Sequence, residues 1–217
     1  MVDVAGSDVV AILTRAPSSG GKARLFSALG ISPDPGLLTA LLLDTLDNAS
    51  IGGAATVLAV TPASACRELR VIAPGVEVIA QPEGTLGDRM EGTMATLIAR
   101  GAARVALVGS DLPSITPAHV RAAFSALDAD PDAVVLGPAV DGGYYLVASA
   151  VVPAIFSACE WGTPHVLAQT LSAATAAGVA VHLLEPLEDV DTLDDLRLAA
   201  SRPGAVRTRE WWNSRSA

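Results

Sequence analysis

The sequence is poor in cysteine, in aromatic side chains and in basic charge, and it lacks any long uninterrupted apolar run. Cysteine occurs only at Cys66 and Cys159, far apart and without C-x-x-C spacing, which excludes a disulfide framework and gives no support for a zinc site. Both are expected to be small core residues in a reducing compartment. Aromatic residues make up 4% of the 217 residues, a composition that suits Ala-rich helices set closely on a Val/Leu sheet rather than a β-sandwich. Lys and Arg number 14 against 23 Asp and Glu, a formal charge of −9. Such a surface repels phosphodiester backbones, so nucleic acid is not an expected partner. Polar breakers interrupt every apolar stretch before it reaches the ~18 residues that a membrane span requires. The opening segment from Met1 to Asp8 has no basic region, so no signal peptide is expected and a cytoplasmic location is.

The chain is rich in apolar residues instead. At 51% hydrophobic content it is not disordered, and its length suits one domain, residues 1–217, with a substantial core. Short apolar runs bounded by breakers predict buried strands at 9–14, 56–61, 76–80, 104–109, 133–137, 144–148 and 179–184. Helical patterns fall between most of them. Leu38, Leu42 and Leu46 form an i, i+4, i+8 stripe that reads as core. Alternation of this kind predicts an α/β sandwich with a mostly parallel sheet, whose ligands bind at the carboxyl ends of the strands.

Four stretches at such strand ends carry candidate chemistry. The first is Gly109-Ser110-Asp111-Leu112-Pro113, where a buried strand ends on a carboxylate; a loop-forming or capping role for Asp111 is the plain alternative. The second runs from Arg15 through Gly20, Gly21 and Lys22 to Arg24. A glycine-rich loop leading into a helix with two cations makes an anion site, although neither the P-loop nor the dinucleotide fingerprint spacing is present and a flexible connector is the alternative. The third is Asp141-Gly142-Gly143-Tyr144-Tyr145. Asp-Gly between apolar runs predicts a tight type I′ hairpin turn, and the tyrosines either face the core or offer a surface for a ring or sugar. The fourth is Glu185 to Asp195, where Asp189 and Asp191 alternate on one side and Thr192 with Asp195 reads as a capping box. Two carboxylate clusters from separate parts of a chain are what a divalent cation requires. Elsewhere, Asp88 is expected to cap a helix, placing Arg89 in its first turn and calling for an anionic neighbour. A helix is expected from Thr163, with Pro164 at its first position. The tail, 202–217, with Trp211 and Trp212 among arginines, is expected to pack back on the body or on a second subunit of a homodimer.

Taken together, Arg15-Ala-Pro with Lys22-Ala-Arg24-Leu25, Gly84-x-Leu-Gly87-x-Arg89-Met90, Gly109-Ser-Asp111-Leu-Pro, Gly137-Pro-Ala-x-Asp141-Gly-Gly-Tyr-Tyr-Leu, Trp161-x-Thr163 and Asp189-Val-Asp191-Thr-x-x-Asp195 resemble the bacterial glycosyltransferase-A-like proteins of the nucleotide-diphospho-sugar transferase superfamily. That branch is similar to the 2-phospho-L-lactate and molybdopterin guanylyltransferases. The resemblance implies a three-layer α/β fold of the glycosyltransferase-A type and a transferase that uses a nucleotide or nucleotide-sugar donor and a small-molecule acceptor. It implies Mg²⁺ or Mn²⁺ held by Asp111 and Asp191, with Lys22 and Arg24 on the donor phosphates. Arg15, Gly20, Gly21, Gly87, Arg89, Asp141, Gly142, Gly143, Tyr144 and Trp161 then stand as substrate-binding candidates. Glycosyl transfer is the leading reading, nucleotidyl transfer the alternative and a non-catalytic nucleotide-binding module the second. The chain departs from the family pattern at Arg15, a usual Lys, at Ala23, a usual Thr, and in a loop one residue shorter before Lys22.

Overall fold

The computed structural model describes residues 4–157 and 159–215; the first three residues of the N-terminal stretch and the last two of the tail lie outside them. In chain order the elements are β1 (Asp8–Arg15), α1 (Ala23–Leu29), α2 (Pro35–Ala49), β2 (Ala54–Thr61), α3 (Cys66–Ile72), β3 (Glu77–Ala80), α4 (Leu86–Ala99), β4 (Arg104–Gly109), α5 (Pro117–Ala129), β5 (Val134–Pro138), β6 (Tyr144–Ser149), α6 (Val166–Ala176), β7 (Val181–Leu183), α7 (Leu193–Ser201) and α8 (Val206–Ser214).

The strands form one sheet in the order β3-β2-β1-β4-β6-β5-β7. All neighbours are parallel except those of β6, which runs against both β4 and β5. Each central strand is buried on both faces, which explains its unbroken apolar run. Val10 and Ile12 of β1 and Ala106 and Val108 of β4 join the α2, α3 and α5 side, with Leu42, Leu46, Leu69 and Phe124. The alternating residues Val9, Ala11, Val105 and Leu107 face α4 and α6, with Met94, Leu97 and Ala174. The three-layer sandwich expected from the sequence is present. Among the described residues no helix is long and apolar enough to cross a membrane.

A third, smaller core joins α1, α2, α7 and α8 through Leu25, Phe26, Leu37, Leu41, Val190 and Leu196, with Trp211 and Trp212 against it. The polar tail is therefore a helix docked on its own body. Its anchor is Asp44 of α2, a carboxylate only 1% exposed. Asp44 accepts from the backbone N–H groups of Arg207 and Thr208, from the Thr208 hydroxyl and from the Arg207 guanidinium. A charge buried this deeply is tolerable because these donors saturate it.

Several local expectations are corrected. Helix α4 starts two residues before Asp88: Thr85 is the cap and Asp88 closes a capping box with it. Helix α6 starts at Val166 behind His165, because the Thr163 hydroxyl is turned back onto the Glu160 carbonyl. The β5–β6 connection is five residues, 139–143, rather than a two-residue type I′ turn; of its residues only Gly142 has positive φ, and Asp141 instead accepts from the Gly143 N–H. Both cysteines are only partly buried.

Candidate functional site

β2 and β3 lie on one side of β1, and β4 on the other. The carboxyl ends of β1 and β4 therefore flank the point where the strand order reverses, the place where open α/β sheets leave a crevice. The loop after β1 carries Lys22 and the turn after β4 carries Asp111.

Between β1 and α1, Gly20 and Gly21 adopt φ of 69° and 146°, and Lys22 itself sits in the left-handed region at φ 48°. This is backbone that side-chain-bearing residues rarely adopt. The kink turns the Lys22 side chain inward. Its ammonium lies 2.6 Å from Asp111 Oδ2 and 2.8 Å from Asp191 Oδ1, and the side chain is only 11% exposed. Burial disfavours that charge, but the two carboxylates outweigh it and hold the amine above the ordinary lysine range.

Asp111 is placed by backbone bonds on either side of its side chain. Its carbonyl accepts from the Val190 N–H at 3.1 Å, and the next N–H, of Leu112, donates to the buried Thr45 hydroxyl at 2.9 Å. Its carboxylate goes to Lys22 and caps no helix, since α5 begins later behind Thr116. Asp191 is placed by α7. Thr192 and Asp195 form the expected capping box, and Asp195 also accepts from the Asp191 N–H. Val190, 2% exposed, plugs the third core and leaves its two acidic neighbours on the other side.

The structure joins Asp189, read from the sequence as alternating with Asp191, to the Asp111 and Asp191 pair that the resemblance implied. One carboxylate oxygen from each of Asp111, Asp189 and Asp191 lies within 4.8 Å of the others. Burial, reinforced by the charges of Asp111 and Asp191, raises the Asp189 carboxyl to about pH 7. Three hard oxygen donors converging on a point fit a divalent cation such as Mg²⁺ or Mn²⁺. The Lys22 ammonium already stands among them as an internal cation.

Two cavities meet at Asp111. The loop cavity, about 150 Å³, is lined by Thr14, Arg15, Gly20, Gly21, Lys22, Leu38, Leu41, Ser110 and Asp111. Leu38, expected to be core, is one of its walls. Among the described residues no carboxylate pairs with Arg89: burial, and then the charge of Arg15, hold its guanidinium below the usual range. Arg24 is exposed on α1 and lines neither cavity.

The ring cavity, about 200 Å³, is lined by Asp111, Asp141, Gly143, Tyr144, Trp161, Thr163 and Asp189, with Leu86 and Met90 as apolar floor. Tyr144 and Trp161 meet edge to face, centroids 6.1 Å apart. Burial raises the Tyr144 hydroxyl above its ordinary range. Tyr145 also lines this cavity, but its side chain joins the core on the opposite face of the sheet, is 4% exposed, and its hydroxyl donates to the Glu185 carbonyl. The two glycines Gly87 and Gly142 serve close packing: a Cβ on Gly87 would lie 2.6 Å from the Phe156 carbonyl and 2.7 Å from Trp161 Nε1, and one on Gly142 would lie 2.2 Å from the Pro164 carbonyl. Sequence reasoning missed Leu86, Met90, Thr14 and Ser110 as lining residues. Thr14 and Ser110 flank the strand-end residues already singled out, so their positions were the available signal.

A search of curated proteins finds no match. Among solved structures, a candidate nucleotide-diphospho-sugar transferase from Desulfovibrio desulfuricans G20 superposes with a TM-score of 0.83 at 26% identity, covering 94% of this chain and 95% of that one. CMP:2-keto-3-deoxy-manno-octonic acid synthetase complexed with CTP gives 0.59 at 16% identity, covering 94% and 100%. 4-Diphosphocytidyl-2C-methyl-D-erythritol synthase gives 0.56 at 13% identity, covering 89% and 98%. The fold is that of the nucleotide-diphospho-sugar transferases. A family model described as "Uncharacterized protein conserved in bacteria (DUF2064)" matches residues 45–163, a span that includes Asp111, Asp141 and Trp161 but neither Lys22 nor Asp189 and Asp191. With more than half its length matched, the chain belongs to that family.

Proposed function

We propose that the chain is a metal-dependent transferase with a nucleotide donor, moving a glycosyl group from a nucleotide sugar to a small acceptor. The observation that carries this reading is the position of Asp111, which walls both cavities and shares a converging oxygen set with Asp189 and Asp191. Asp111, Asp189 and Asp191 would hold Mg²⁺ or Mn²⁺; when bound, such an ion neutralises the donor's diphosphate as charge develops on it. Arg15, Lys22 and the backbone at Gly20 and Gly21 take the phosphates in the loop cavity. Beside that cavity, the mutual repulsion of the Arg15 and Arg89 guanidinium groups favours an anion near them. Tyr144 and Trp161 seat a ring in the other cavity, and Asp141, held by the Gly143 N–H, accepts the acceptor's hydroxyl hydrogen bond. In the transfer, the acceptor oxygen bonds to the anomeric carbon while the bond from that carbon to the diphosphate oxygen breaks. The electron pair leaves with the nucleoside diphosphate and the hydroxyl proton passes to Asp141. The protein's contribution is positioning and charge stabilisation, with no covalent nucleophile.

Nucleotidyl transfer is the second reading, favoured by the fold shared with the two cytidylyl-type synthetases. Incubation of the purified chain with Mn²⁺ and panels of nucleotide sugars and nucleoside triphosphates separates the two. Nucleoside diphosphate released from a nucleotide sugar supports glycosyl transfer; pyrophosphate released from a triphosphate supports the alternative. Nucleotide binding without turnover across both panels would leave a binding module and refute catalysis.

A further inference from the structure

We propose that the ring cavity selects an uncharged or amino-bearing hydroxyl compound of about one sugar ring, and rejects phosphorylated and carboxylate acceptors. The inference rests on the donor and acceptor assignment above and specifies the second substrate's charge. Its basis is the sign of the lining. Asp111, Asp141 and Asp189 contribute carboxylates, and among the described residues the lining contains no Lys, Arg or His. The cations of the region lie on the other side: Arg15 and Lys22 wall the loop cavity, Arg89 stands close enough to feel the charge of Arg15, and the Lys22 ammonium is committed to Asp111 and Asp191.

A bound divalent ion does not reverse this balance. A carboxylate that binds a metal is held deprotonated, so by formal charge Asp111, Asp141, Asp189 and Asp191 set four negative charges against the one Lys22 ammonium, and the two positive charges of the ion still leave the group negative. Donor phosphates in the adjoining cavity make it more so. A phosphate monoester, carrying about −1.5 to −2 at neutral pH, would enter a small, partly desolvated space whose charged walls are all carboxylates and repel it. A hydroxyl or ammonium group meets acceptors instead: Asp141 presents a carboxylate at the rim, and the Tyr144 and Trp161 rings offer apolar faces and edges to a sugar's C–H surface. The volume of about 200 Å³ admits a single ring and is below the usual range for drug-sized ligands.

Equilibrium dialysis of the full chain tests this with glucose, galactose and glucosamine, each beside its 6-phosphate, with Mn²⁺ and with or without UDP. UDP and GDP retention is measured first: its absence overturns the donor reading, while the sugar arms without nucleotide still test charge selection. The expected result is at least one parent or amino sugar held tenfold or more tighter than its phosphate. Asp141→Lys should cut that ratio by tenfold or more; Asp141→Asn, which keeps the side-chain shape, should reduce the ratio in the same direction if the lysine variant does not fold. A 6-phosphate retained as well as its parent sugar, no retention of any unphosphorylated sugar, or an unchanged ratio in the folded variants would overturn the proposal.

Discussion

Replacing Asp189 by asparagine should stabilise the metal-free protein, and by clearly more at pH 8 than at pH 5. In the folded protein burial, and then the charges of Asp111 and Asp191, raise the Asp189 carboxyl from 3.8 to about 7. A folded-state pKa raised in this way means that the native state holds the proton more tightly than the unfolded chain. The associated stability is fully present below the unfolded pKa of 3.8, is partly lost by pH 5 and is lost in full as pH rises through 7. At ~1.4 kcal/mol per pKa unit, a shift of roughly three units sets a ceiling of about 4 kcal/mol. Asp189 keeps some contact with solvent and Lys22 offsets part of the repulsion, so a realised effect of about 1–2 kcal/mol is expected. For a chain of this length that is roughly 2–8 °C in melting temperature. Asparagine cannot ionise and avoids the loss. Urea unfolding of parent and variant in chelator at pH 5 and pH 8 reads the difference, and repeating it with Mn²⁺ reverses the order, because the parent gains the linkage free energy of metal binding that the variant has weakened. Equal shifts at both pH values, or an equal gain from Mn²⁺ in both proteins, would refute the assignment of Asp189 to the cluster.

Asp111→Ala should abolish Mn²⁺-dependent nucleotide binding with the far-UV circular dichroism unchanged, since the carboxylate packs against no core residue; retained binding in calorimetry would remove it from the centre. Lys22→Met should raise Mn²⁺ affinity, by removing the internal competitor for Asp111 and Asp191, and weaken donor binding by about 1–3 kcal/mol. Arg24→Ala, on an exposed helix face outside both cavities, should leave donor affinity within twofold, and a loss as large as that of Lys22→Met would return Arg24 to the site. Asp44→Ala should cost about 3–5 kcal/mol in chemical denaturation, because it strands the Arg207 and Thr208 donors under α8; a cost below about 1 kcal/mol would show that the tail helix is held by its apolar face alone.

The strand carrying Asp111 was legible to the residue, 104–109, because burial on both faces leaves an apolar run with polar ends. Thr192 with Asp195 was legible for a different reason: a capping box is local chemistry at fixed spacing. The same signature stood at Thr85 and Asp88, yet both residue types cap helices, and spacing alone did not choose between them. Lys22 was read as a phosphate ligand because sequence places it after two glycines. What turns its ammonium onto Asp111 and Asp191 is a left-handed backbone at Lys22 itself, which no residue preference announces. The α8 helix was hidden for a related reason: its stability comes from Asp44 and from Trp211 on Asp34, partners more than 150 residues away, rather than from its own sparse apolar content.

The alternation at Asp189, Val190 and Asp191 gives this part of the gene a rigid reading of length. Because neighbouring extended residues point to opposite sides, adding or removing one residue between the end of β7 at Leu183 and the start of α7 at Leu193 would exchange the two faces. Valine would then face the site, and two carboxylates would be driven among Leu25, Phe26 and Leu196, where charge is heavily penalised. At Gly52 and Gly53, exposed and with open space about them, an extra residue meets no such parity rule. Among descendants of this sequence, single-residue length changes should therefore accumulate at that turn and be purged from the nine-residue span, 184–192, that delivers the acidic pair.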